Sequence, residues 1–280
     1  MKLSIDLGGT NIRIARVDKG ICSDYMSVAC PALEDEDIII DKISYLIKKL
    51  MDRRVDGIGI GVPSIVDTQT GVVYNAVNIS SWKEVHLKER LEDKFQVPVL
   101  VDNDCNCFAL GEYMYGTGKS YDNMVGITLG TGVGMGIIIN KQLYGGIYQG
   151  AGEVGSLPYL NSDYEHYCSS SFFKQNGNTG AYFAQRAKEG DTEAINIWNQ
   201  FGLHIGQLIK AVLFAYAPQL IVFGGGISSA FSLFKESMEQ ALQDFPYKII
   251  LTNVEIKASS LKEANLLGAA SLFSLNSPMK

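Results

Sequence analysis

Asp6-Leu7-Gly8-Gly9-Thr10-Asn11, preceded by Leu3 and Ile5 and followed by Ile12, Ile14 and Val17, reads as a strand, a glycine turn and a returning strand. The device recurs near mid-chain. There the apolar run Met124 to Thr128 leads into Leu129-Gly130-Thr131-Gly132-Val133-Gly134 and a second strand reaching Ile139. Glycine lets backbone N–H groups approach phosphate oxygens with no Cβ in the way, so two such turns predict a duplicated nucleotide cradle and a phosphotransferase. Asp6 adds a carboxylate placed to hold Mg²⁺ or its waters beside the phosphates, and Thr10 and Asn11 add side-chain donors. A tight β-hairpin is the competing reading of either turn. Other nucleotide motifs fail. Gly116-Thr117-Gly118-Lys119-Ser120 ends like a P-loop, but Tyr113 stands where its leading glycine belongs. Met135 likewise occupies the third-glycine position of a dinucleotide fingerprint begun by Gly130 and Gly132.

Outward from the first turn, Ile38, Ile39, Ile43, Leu46, Ile47 and Leu50 have helical spacing, and Val55 to Val62 reads as a buried strand ending at Pro63. Leu87, Leu91 and Phe95 repeat at four-residue intervals before a short strand, Val97 to Val101, and a helix over Cys105 to Tyr115. Beyond the second turn, helices are predicted at Gly180 to Glu189, Asp191 to Ala215, Phe231 to Leu242 and Ala264 to Leu275. Strands are predicted at Leu220 to Phe223, ending in Gly224-Gly225-Gly226, and around Val254 and Ile256. The restarted pattern places a boundary near residues 116 to 123 in an α/β chain of two domains.

Composition narrows the partners. With 46% apolar and 19% charged residues, the 280-residue chain fills a globular core rather than remaining disordered. A formal charge of −6 argues against a broad nucleic-acid or anionic-membrane surface and favours a small-molecule partner. No cationic leader precedes Asp6 and no apolar run approaches the ~20 residues that cross a bilayer, so a cytoplasmic location is expected. Five scattered cysteines, Cys22, Cys30, Cys105, Cys107 and Cys168, contain no CxxC pair and indicate neither a disulfide framework nor a zinc ribbon. His86 and His204 lie in helical patterns, and His166 adjoins Glu165 without a metal-type ligand set.

Between the turns, Val101-Asp102-Asn103-Asp104 follows an apolar strand, the place where open α/β sheets put ligands. Asp104 is suited to accept the proton of a substrate hydroxyl as its oxygen attacks a γ-phosphate, and Asn103 to bind a neighbouring hydroxyl. Asp102 is the rival for either role, and an aspartate helix cap is the structural alternative. Gly150-Ala151-Gly152-Glu153-Val154-Gly155 carries one carboxylate among glycines, able to reach a polyol without crowding it. Glu165 is a further acidic candidate.

Taken in order, these motifs resemble the ROK family of sugar kinases and repressors, within the actin, hexokinase and Hsp70-like ATPase superfamily. The resemblance covers almost the whole chain: the Asp6 turn; Gly59-Ile60-Gly61-Val62-Pro63 with Val66-Asp67; Asn103-Asp104 with Glu112; the Leu129 turn; Ala151-Gly152-Glu153-Val154-Gly155; Gly224-Gly225-Gly226-Ile227; and Leu267-Gly268-Ala269-Ala270. It implies two RNase-H-like domains, residues 1–117 plus 264–280 on the sugar side and residues 118–263 binding ATP, with the sugar in the cleft. It also implies ATP and Mg²⁺ as cofactors, a hexose-type substrate phosphorylated at the 6-hydroxyl, and a homodimer. By position Asp104 is the general base, while Asn103, Glu153, Glu165 and, in the loop before Trp82, Asn78 bind sugar hydroxyls. Gly8, Gly9, Thr10 and Asn11 together with Gly130, Thr131 and Gly132 take the phosphates, and Gly224 and Gly225 line the far end of the nucleotide. Two departures stand out. The family's Glu-x-Gly-His reads Glu153-Val154-Gly155-Ser156 here, and its Cys-x-Cys-Gly-x-x-Gly-Cys zinc segment is replaced by Leu157 to Asp163, so no structural zinc is expected. Ser156 removes a ring that touches the sugar in relatives and leaves the sugar's identity open among glucose, mannose, allose, N-acetylmannosamine and β-glucosides. Ser64 replaces a frequent glycine close to the same site. The family's repressors carry a DNA-binding domain ahead of the kinase-like core, and with the phosphate strand starting at Leu3 a kinase is expected instead.

Overall fold

A computed structural model describes residues 1–275; residues 276–280, grouped above with the sugar-side domain, lie outside the described residues. The chain separates into two compact units. One comprises Met1–Ser120, Gly136–Ala151 and the described residues from Ser260 onward, and the other Tyr121–Met135 and Gly152–Ser259.

The first unit begins with an antiparallel meander, β1 (Lys2–Leu7), β2 (Asn11–Asp18) and β3 (Ile21–Ala29), followed by α1 (Glu36–Leu50) and β4 (Ile58–Val62). A small antiparallel sheet, β5 (Ile65–Asp67), β6 (Val72–Tyr74) and β7 (Glu84–His86), precedes α2 (Leu87–Phe95), β8 (Val99–Asn103) and α3 (Asp104–Tyr115). The main sheet runs β3-β2-β1-β4-β8, with β4 parallel to both β1 and β8. Leu3 to Leu7 and all of β4 are buried, as expected of inner strands covered on both faces. The expected strand at Val97 shifts to Val99. Pro98 accepts a hydrogen bond from the Ile58 N–H but has none to donate, so regular pairing starts one residue later. The strand expected from Val55 likewise starts at Ile58, because the Val55 N–H closes a turn onto the Asp52 carbonyl.

The second unit is organised around β9 (Met124–Leu129), β10 (Val133–Ile139) and β11 (Gln142–Leu143), although Gly136 and its successors pack with the first unit. A two-residue hairpin, β12 (Pro158–Tyr159) and β13 (Ser162–Asp163), leads into α4 (Tyr164–Cys168), α5 (Ser170–Gln175), α6 (Gly180–Lys188) and α7 (Thr192–Tyr216). Then come β14 (Leu220–Gly224), α8 (Phe231–Leu242), α9 (Lys248–Leu251) and β15 (Glu255–Ala258), before α10 (Ala264–Leu275) returns to the first unit. The second sheet runs β11-β10-β9-β14-β15, with β14 parallel to β9 and β15. Each sheet is therefore a three-stranded antiparallel meander extended by two parallel strands, and in each a glycine turn joins the two strands of the first hairpin.

Helices α3 and α10 pack backbone against backbone. A Cβ on Gly111 would lie 2.0 Å from the Ala264 carbonyl oxygen, and one on Gly268 would lie 1.7 Å from that of Cys107. Any side chain at either position would separate the helices. Because eight consecutive residues of α3, Cys105 to Glu112, are buried, its start is held on all sides, and this rigid end carries Asp104. Among the described residues no helix is long and apolar enough to cross a membrane.

Candidate active site

In the first unit the Gly8 N–H donates to the Asn11 carbonyl at 2.9 Å, closing the turn between β1 and β2. Asp6 lies directly across the hairpin from Arg13, whose Nη1 is 3.1 Å from Asp6 Oδ2. Burial raises the pKa of this carboxylate, Arg13 pulls it back, and Glu263 raises it again. A single buried hard-oxygen ligand beside a glycine turn fits Mg²⁺ bound mainly through phosphates and water, and Asp6 is the residue that would hold it. A Cβ on Gly9 would sit 2.6 Å from the Asn78 Cβ, so glycine lets the turn pass that loop. Asn78, itself in the left-handed region at φ 65°, thus stands against the first glycine turn. Thr10 is exposed, and Asn11 opens β2.

At the end of β8 the three polar residues divide their work. Asn103 is the cap of α3. Its Oδ1 accepts from the N–H groups of Cys105 at 2.8 Å and Asn106 at 3.2 Å, and its Nδ2 donates to the Ser64 carbonyl at 3.2 Å. The cap is therefore an asparagine, not the aspartate that the alternative reading supposed. Asp102 is buried, and its Oδ1 accepts from the Asn103 N–H at 2.7 Å and from Asn106 Nδ2 at 2.9 Å. Desolvation pushes its pKa up to about 6 despite those bonds. Asp104 is only partly buried and occupies the first position of α3, where the helix dipole favours a charged carboxylate. Of the two rivals, the one that solvent can reach is Asp104.

Sequence reading singled out Ser64 only as a departure near the sugar and missed the other supports of this segment. Ser64 donates its hydroxyl to the Tyr74 carbonyl, and Asn106 Nδ2 also reaches Gln149 Oε1 at 3.0 Å. Asn265, at the start of α10, donates to the Asp104 carbonyl at 3.3 Å and also hydrogen-bonds Asp6. Only Arg13 left a signal. It and Asp6 are equally spaced from the turn, and strand periodicity puts such a pair on one face.

In the second unit the Gly130 N–H donates to the Gly132 carbonyl at 3.0 Å, so it closes its own turn, while the N–H groups of Thr131 and Gly132 have no backbone partner among the described residues. A Cβ on Gly130 would meet nothing within 4 Å, whereas one on Gly132 would lie 2.5 Å from Glu165 Oε2. That same oxygen accepts from the Val133 N–H at 3.1 Å. Gly224 pairs with Thr128 at the end of β14, and a Cβ on Gly225, at φ 81°, would approach the Leu129 carbonyl to 2.3 Å. The second turn and the Gly224-Gly225 bend are thus adjacent. A cradle with open space over Gly130 and unspent donors beside it fits a nucleotide phosphate chain.

Glu153 precedes a short 3₁₀ turn, Val154–Ser156, and its carbonyl accepts from the Ser156 N–H at 3.2 Å. Partial desolvation raises its pKa, and the Glu165 carboxylate raises it further. The structure therefore brings these two carboxylates within electrostatic reach, with Ser156 exposed beside Glu153. Cys168 is buried, and the His166 ring faces Gln175 Nε2 at 3.3 Å. Among the described residues no group of three or more His, Cys, Asp or Glu could hold a metal ion.

A glucokinase from Halalkalibacterium halodurans is 27% identical over 315 aligned positions, covering 95% of this chain and 92% of that protein. The xylose repressor of Bacillus subtilis is 28% identical over 256 positions, covering 85% of this chain and 66% of the repressor. The crystal structure of a ROK family glucokinase from Streptomyces griseus in complex with glucose and AMPPNP superposes with a TM-score of 0.85 at 27% identity, over 97% of this chain and 98% of that one. The duplicated sheets are those of the two-domain actin-like ATPase fold of such kinases. The ROK family profile matches residues 2–275, and the chain belongs to the ROK family.

Proposed function

We propose that this chain is an ATP-dependent kinase for a hexose or hexose derivative. The observation that carries the reading is Asp104, a carboxylate that solvent reaches at the first position of a rigidly held helix, two residues after the buried and hydrogen-bonded Asp102. Asp104 takes the proton from the sugar 6-hydroxyl as that oxygen attacks the γ-phosphorus. The new O–P bond forms, the bond from the γ-phosphorus to the β,γ-bridging oxygen breaks, and ADP leaves. Mg²⁺, when bound beside Asp6, neutralises phosphate charge. Thr131 and Gly132 donate to the phosphates, and Gly224 and Gly225 border the nucleotide. Asn78, Asn103, Glu153 and Glu165 hold sugar hydroxyls, and Ser156 leaves space beside Glu153. The glucokinase relatives support a hexose as substrate. The xylose repressor among the relatives supports a second reading, a sugar-responsive regulator without catalysis.

The test is a coupled ADP-release assay over glucose, mannose, allose, N-acetylmannosamine and β-glucosides, beside calorimetric binding of the same sugars. Sugar-dependent ADP release supports the kinase. Sugar binding with no ADP release for any member of the panel supports the regulator.

A further inference from the structure

Five-residue α4 cannot hold itself. A single helical turn is unstable alone, so the direction of Glu165 depends on what packs against its neighbours. Those neighbours are Tyr164 and Tyr167, and both rest on Tyr159. The Tyr164 ring lies flush on Tyr159, with centroids 4.4 Å apart and planes 8° apart, and Tyr167 meets Tyr159 edge-on at 5.4 Å. Tyr159 comes from strand β12, one residue before Leu160, which turns the hairpin at φ 54°. Its hydroxyl is 3.0 Å from Nδ1 of His204 on the 25-residue helix α7. Two further ties reach α7: Tyr164 donates its hydroxyl to the Gln207 carbonyl at 3.3 Å, and the His204 ring packs against Tyr167 at 4.9 Å.

We propose that Tyr159, anchored to His204, is a positioning residue that fixes α4 against α7 and so sets the Glu165 carboxylate for the sugar. The proposal rests on the reading of Glu165 as a sugar ligand. Burial keeps both anchors in the right forms: it pushes the Tyr159 phenol up to about 12 and lowers the His204 pKa. A neutral imidazole can therefore accept the phenolic proton at Nδ1. Stacking fixes the plane of the Tyr164 ring, the edge contact blocks rotation of α4 about its axis, and the hydrogen bond to α7 prevents sliding. At the other end Glu165 Oε2 accepts from the Val133 N–H, so the carboxylate is held from both sides.

The experiment measures steady-state KM for ATP and for D-glucose, or for whichever sugar in the panel gives the highest kcat/KM. The variants are Tyr159→Leu, Tyr159→Phe, Glu165→Gln and the Tyr159→Leu/Glu165→Gln double change. Misplacing a binding group by about 1 Å costs on the order of 10–100-fold, so Tyr159→Leu is expected to raise the sugar KM by that factor with ATP KM within about twofold. Tyr159→Phe, which keeps the stack but loses the bond to His204, is expected to raise the sugar KM only about three- to tenfold. In the Glu165→Gln background Tyr159→Leu is expected to add less than about twofold, because its route to the sugar is already cut. If Tyr159→Leu does not fold, His204→Leu removes two of the three ties to α7 with the stack intact and is expected to raise the sugar KM about three- to tenfold. An unchanged sugar KM in these variants, or an equal rise for ATP, overturns the proposal when Glu165→Gln itself raises the sugar KM. An unchanged sugar KM in Glu165→Gln instead overturns the sugar-site reading on which the proposal rests.

Discussion

The two glycine turns sit at equivalent places in sheets of identical strand order, yet different residues stand behind them. The first owns its charge: Asp6 lies in the strand that enters the turn, with Arg13 opposite in the strand that leaves it. The second has no carboxylate of its own and borrows Glu165 from a helix more than thirty residues on. The difference teaches that the duplicated scaffold supplies backbone geometry, while the chemistry at each copy comes from whatever the following segments deliver. On the proposed reading, one turn serves a metal–phosphate centre, and the other joins the phosphate donors Thr131 and Gly132 to the sugar carboxylate Glu165.

The sharpest break in this division is expected at the base. Asp104→Asn should lower kcat by about 10²–10⁴-fold with ATP affinity nearly unchanged, the usual loss for a positioned base. Near-normal turnover would move the role to Asp102. Next in size, Glu153→Gln removes a charged acceptor worth roughly 1.5–3 kcal/mol, so the sugar KM should rise by about 10–150-fold while ATP KM stays put. No change for any sugar would take Glu153 out of the pocket.

The comparison sharpens within the second turn itself. Gly130→Val places its side chain where the fold leaves open space, so the protein should fold and lose about tenfold in ATP affinity alone. Gly132→Ala drives a Cβ into the Glu165 carboxylate and should raise the sugar KM as well. Identical kinetic signatures for the two variants would dissolve the distinction between the cradle and its borrowed carboxylate.

The smallest effect is expected on stability. Asp102 has its pKa raised to about 6 in the fold, against about 3.9 unfolded, so the native state binds the proton more tightly. Stability should therefore fall as pH rises from about 4 to 6 and stay flat above, the penalty being absent below the unfolded pKa. Asp102→Asn keeps one acceptor oxygen for its two donors and should gain about 1–2 kcal/mol at pH 7.5 and nothing at pH 4, read from thermal melts. A stability loss at pH 7.5 would show the charged form to be well solvated or paired.

What the sequence made legible follows from how local each feature is. Both glycine turns, the helix carrying Asp104 and the final helix from Ala264 are written in contiguous periodicity and matched the structure closely. Strand β3 was missed because its exposed edge alternates weakly, with Ile21 and Tyr25 facing solvent. The hairpin β12–β13 and α4 are too short for any period to register, and they hold together through Tyr159, Tyr164, Tyr167 and His204. The bonds that support the Asp104 segment were equally hidden, since Ser64, noted only as a departure in its motif, Gln149 and Asn265 come from three distant segments. Motif order carried the candidate residues, but only tertiary packing showed that Asn103 Oδ1 caps α3, leaving one Nδ2 proton for a further partner, and that the Gly130 N–H closes its own turn.

The most direct measurement is the fate of the γ-phosphate, followed by ³¹P NMR in a mixture of the protein, ATP, Mg²⁺ and each sugar of the panel. The account predicts one sugar phosphomonoester formed per ADP with at least one hexose-type sugar, and a rate reduced at least a hundredfold in Asp104→Asn. ATP left intact with every sugar, or inorganic phosphate released with no phosphomonoester, would contradict it.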